Sequence, residues 1–146
     1  MGYLKNYGGN IMVTGIIVVN IFLAVICTVF IVKNYLVCYK GSDKGFKNIF
    51  LVAFIIVALF CALNGVWQGN VVGQYIDHLG ISEGVEEKEI AMLKQMIETG
   101  KRSIIRTTII GYLSFFISYA IYINIKKEIK TNLEKHKEKW NLNKFK

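Results

Sequence analysis

His78 and His136 are the only imidazoles in this chain of 146 residues, and Cys27, Cys38 and Cys61 are the only thiols. Asp77, His78 and Glu83 lie close enough together to suggest a metal site, yet their spacing matches no ligand pattern and a solvated turn accounts for them. The expected topology puts the two histidines on opposite sides of the membrane, so they cannot share a metal or a haem. The three cysteines give no disulfide framework and read as small, polarisable packing residues. No nucleophile elbow, HExxH, P-loop or dinucleotide glycine pattern is present, so neither an enzyme nor a cofactor is expected. The remaining candidates are neutral. Asn20, Asn64, Gln68, Ser114 and Ser118 interrupt long apolar runs, where an amide or hydroxyl either hydrogen-bonds to another helix for roughly 0.6 to 2 kcal/mol or lines a narrow wet path. Asn20 and Ser114, each about midway along its run, are the pair expected to meet.

The elements that must position these groups are membrane helices. The hydrophobic fraction is 53%, proline is absent and the mean hydropathy is +0.40, outside the usual range for a soluble domain. Uncharged runs cover 11–32, 48–76 and 107–125. At about 1.5 Å per residue even the shortest matches a hydrocarbon core of roughly 30 Å. The expected fold is an all-α integral membrane protein in one domain. Its transmembrane helices are 11–32, 49–67 (continuing to 79) and 104–125, with a cytoplasmic loop 33–48, an external helix 84–102 and a basic tail 126–146. The first run is too long for a signal-peptide core, so it is expected to stay attached.

Basic residues orient the spans. The loop 33–48 holds four lysines and the tail 126–146 eight, against six bases elsewhere, which puts the N-terminus outside and the C-terminus in the cytoplasm of a multi-pass inner-membrane protein. The connection 68–103 carries six acids and is expected outside. There, Gly80 is expected to end the second helix and Ser82 to cap the next one. Val85, Met92, Leu93 and Met96 share a face, with Ile97 at its edge, and are expected to pack on the protruding second helix. Lys94 with Glu98, and Glu98 with Arg102, stand at ion-pair spacing on the solvated face. The N-terminal stub, with Tyr3 and Tyr7 as interfacial rings, is expected to do little beyond anchoring.

Two small-residue ridges stand out. Cys61, Gly65, Gly69 and Gly73 recur every fourth place, and Thr107, Gly111, Ser114 and Ser118 follow at intervals of four, three and four. Small residues let helix backbones approach closely where water supplies no driving force. The outer part of the glycine ridge is expected to face the helix 84–102. In the tail, Lys126, Lys127, Lys130, Lys135, Lys137, Lys139 and Trp140 form a basic amphipathic surface suited to anionic lipid headgroups. Lysine with one tryptophan makes no stacking platform, so nucleic acid is not the expected partner. The sequence therefore points to a non-enzymatic subunit or regulator that contacts a membrane-protein partner or its own copies through helices. Its layout resembles in topology the three-span phage holins, which implies a self-oligomerising pore as the alternative.

Overall fold

Long apolar runs without proline leave the backbone no partner but itself once water is excluded, and each run folds as one uninterrupted helix. The computed structural model describes residues 3–40, 45–81 and 86–144, with side chains described for 11–33, 47–80, 86–137 and 140. The order is α1 (Tyr3–Lys40), α2 (Gly45–Ile81) and α3 (Glu87–Lys144). At 1.5 Å per residue these are about 57, 55 and 87 Å long. All three are long and apolar enough to cross a membrane, within Ile11–Lys33, Lys47–Gly80 and Glu87–Lys137. Helix α2 packs along both neighbours, whereas α1 and α3 meet over a shorter seam.

The buried positions reveal the packing rule. In α2 they are Leu51, Ile55, Ala58, Ala62, Gly65, Gly69, Val72 and Ile76, alternating steps of four and three. In α3, Ile97, Ile104, Gly111, Ser118 and Ile125 recur every seven residues, and in α1 Val13, Asn20 and Cys27 do the same. Such a repeat averages 3.5 residues per turn, the seam of a left-handed coiled coil, and small side chains on it allow close approach. Two clusters fill the seam. One gathers Leu23, Cys27, Leu51, Ile55, Ala58, Ala62 and Ile125; the other Val13, Val72, Ile76, Ile97 and Ile104.

Several expected boundaries move. The loop 33–48 is mostly helix, because α1 continues to Lys40 and α2 begins at Gly45. The reason is register. Asn20 lies against Gly65, and 20 residues separate each of them from its end of the turn, at Lys40 and Gly45. The N-terminal stub is likewise helical from Tyr3. Gly80 does not end α2, which runs to Ile81. The external helix and third span are not separate: α3 passes from Glu87 through Gly100 to Lys144 without a break. Its first turn carries Glu87 and Glu89, acids that suit a helix N-terminus, and the Glu86 carbonyl accepts from the Glu89 and Ile90 amides. The turn residues 41–44, the Ser82 cap, Val85 and the side chains of Tyr3, Tyr7, Cys38 and Lys139 lie outside the described residues.

Candidate functional site

The three helices converge on Asn20. Its side chain is wholly buried, and it lies so close to Gly65 that a Cβ there would come within 2.7 Å of it. The Asn20 Nδ2 donates to the Ile16 carbonyl at 2.9 Å and to the Thr108 hydroxyl at 2.8 Å. Thr108 donates in turn to the Ile104 carbonyl at 2.8 Å. One helical turn further along α3 toward its C-terminus, the Tyr112 hydroxyl donates to the Val19 carbonyl at 3.1 Å. This junction ties α1 to α3 across α2. Asn20 Oδ1 and Gln68 Oε1 are buried without a hydrogen-bond partner, a cost of about 1–3 kcal/mol each in an apolar surrounding. Gln68 Nε2 donates to the side-chain Oδ1 of Asn64 one turn back along α2, at 3.3 Å.

Ser114 is not the partner of Asn20. It is buried, but lies six residues beyond Thr108, about 9 Å along α3. Counting from each span's end missed the pairing, because the extension of α1 to Lys40 shifts its register against α3. Ser118 turns inward onto its own helix, donating to the Phe115 carbonyl at 2.7 Å, and Thr107 does so to the Ser103 carbonyl at 2.9 Å.

Gly65 and Gly69 of the glycine ridge face α1, contrary to the expectation that the outer part of the ridge faces the N-terminal segment of α3. A Cβ on Gly69 would meet the Ile17 side chain at 2.5 Å, whereas one on Gly73 would meet nothing within 4 Å. A row spaced by four drifts about 40° per step around a helix, so Cys61 to Gly73 wraps away from the seam that 62, 65, 69, 72 and 76 follow. The close approach of α2 and α3 uses other glycines. Val72 fills the space over Gly100, and Gly111 seats against Cys61 and Leu23, each 3.1 Å from a Cβ placed there. Gly100, Thr108 and Ile17 were legible only through the seven-residue phase.

That phase also inverts the expected methionine face. Ile97 is buried, while Met92 and Met96 are 56% and 49% exposed. Glu98 pairs with Lys101 at 3.8 Å rather than with Lys94 or Arg102. At the opposite end, Lys47 of α2 pairs with Glu128 of α3. Lys126, Lys127, Lys130, Lys135 and Lys137 are exposed, as are Leu133 (58%) and Trp140 (65%). His78 and His136 are exposed on different helices, and among the described residues no group of His, Cys, Asp or Glu could hold a metal. The junction's chemistry is that of neutral amides and hydroxyls, which fix helices and transfer no protons at ordinary pH. Comparison of the chain with protein-family models, with curated proteins and with solved structures gives no match.

Proposed function

We propose that this chain is a multi-pass inner-membrane protein, N-terminus outside and C-terminus in the cytoplasm, that acts without catalysis as a subunit or regulator of a membrane complex. Immunity, inhibition and assembly are the modes that helix contacts of this kind serve. The observation that carries the reading is the disposition of polar and apolar groups. Asn20, Ser114 and Ser118 are buried inside the single chain, while Val18, Phe22, Phe60, Ile109, Leu113 and Phe116 are turned outward. A pore assembled from copies needs polar groups on the faces between them, and here the amide of Asn20 and the hydroxyls of Ser114 and Ser118 are spent inside the bundle. Outward apolar faces serve lipid and partner helices equally well. The lysines from Lys126 to Lys137 suit anionic headgroups or an acidic partner surface at the cytoplasmic face.

Affinity purification in a mild detergent tests this. A stoichiometric membrane-protein partner is expected, and recovery of a homo-oligomer alone would reject the subunit reading. The pore reading makes the opposite prediction for a potential-sensitive dye, whose signal should collapse on expression; under the subunit reading it stays intact.

A further inference from the structure

We propose that Arg102 and Arg106 form a binding site for the phosphate of an anionic phospholipid in the leaflet nearer the α2–α3 connection. The inference rests on the membrane placement proposed above and adds a ligand class and a location to it. The two arginines stand four apart on α3, where side chains are neighbours, and both are exposed. Neither has an ion-pair partner among the described residues, since the nearby carboxylate of Glu98 is engaged by Lys101. The same stripe continues along the helix as Ile109, Leu113 and Phe116, all exposed and apolar. Polar heads and apolar chains are therefore matched in order along one face.

Spacing fixes the level. No charged residue lies between Arg106 and Lys126, 20 positions apart, which is about 30 Å of helix and one hydrocarbon thickness. With Lys126 and Lys127 at one phosphate layer, Arg106 stands at the other and Arg102 about 6 Å further into the headgroups. A guanidinium donates through a planar fork that suits two phosphate oxygens at once, and two forks one turn apart can grip a single phosphodiester. An anionic lipid is favoured over a zwitterionic one, because it brings no ammonium of its own to compete for the phosphate.

The test places a reporter one turn below the pair. In full-length protein carrying Trp67→Phe, Trp140→Phe and Ile109→Trp, the tryptophan introduced at 109 is quenched by acyl-brominated phosphatidylglycerol or phosphatidylcholine in vesicles. We expect phosphatidylglycerol to occupy the site at least about threefold more than its bulk share. That preference should vanish with Arg102→Gln and Arg106→Gln at unchanged helicity, and persist with Lys126→Gln, Lys127→Gln and Lys130→Gln. Equal quenching by both lipids with the arginines intact, or a preference that survives their loss, would overturn the site while leaving membrane insertion standing. Absence of quenching by either lipid would overturn the membrane placement and the site with it.

Discussion

The two ends of the bundle share one packing seam but fill it differently. Toward the Lys47–Glu128 pair, the cluster around Leu23, Cys27 and Leu51 is sealed by aromatic rings, with Phe30 of α1 set edge-on against Tyr122 and Phe115 of α3 at 5.1 and 6.0 Å. Toward the α2–α3 connection, the aliphatic side chains of Val13, Val72, Ile76, Ile97 and Ile104 pack together with the ring of Tyr75 against them, and the positions around them include Lys94, Glu98, Lys101 and Arg102. In the proposed placement the first cluster lies in lipid, whereas the second straddles the border, with Ile104 at the headgroups and Val72, Ile76 and Ile97 beyond them toward water. The seam does not change at the border. Only the outward residues do, so under that placement one 3.5-residue repeat of small and branched side chains serves both solvents while the solvent selects the flanks.

That contrast is open to direct attack, beginning with the energy of the two clusters. Ile97→Ala removes a buried side chain whose alternative environment is water, so both the transfer and the cavity contributions are lost, about 3 kcal/mol in all. Leu23→Ala should cost roughly half as much, because lipid tails are as apolar as the leucine and only packing is lost. Unfolding in mixed micelles measures both, and equal losses would place both clusters in the same solvent. Next in size is Gly69→Leu, expected to destabilise by about 2 kcal/mol through its collision with Ile17. Gly73→Ala on the same four-spaced row should gain up to about 1 kcal/mol of helix propensity. Losses at both glycines would restore the ridge as a packing surface.

Asn20→Ala should cost about 1 kcal/mol, since the donated bonds go but the orphaned Oδ1 goes with them. Hydrogen exchange should then quicken in α1 near Val19 and in α3 near Thr108 before it does elsewhere. Uniform acceleration would deny the junction a local role. Smallest is Lys47→Gln, where a half-exposed pair contributes no more than about 0.5 kcal/mol. A shift in melting that disappears at high salt is the expected signature.

Much of the architecture can be read from composition, because a charge-free run of 19 residues or more admits few structures besides a membrane helix. Which residues face inward was less legible. Gly65 and Gly73 are identical in type and share a row, yet one is covered by Asn20 and the other is open. Their difference lies in the angular drift between a spacing of four and a seam of 3.5. The methionines misled for a related reason: an isolated helix 84–102 has its own best apolar face, but as part of α3 its phase is set by Ile104 and Gly111 far downstream. Asn20 was recognisable as a polar group needing a partner. Thr108 was not recognisable as that partner, because inter-helix register depends on how far α1 runs past Lys33 before the chain turns.

The unbroken course of α3 has a mechanical consequence. In the proposed placement it accompanies the other helices through the bilayer from Ile104 to Ile125, and from Lys126 to Lys144 it extends about 28 Å further. A rod with no proline and with Gly100 filled by Val72 has no hinge, so it behaves as a lever pivoting within the bundle. A tilt of about 10° imposed at Glu87, pivoting near Ser114, would swing the lysine-bearing tip by roughly 8 Å in the opposite direction, through rigidity alone.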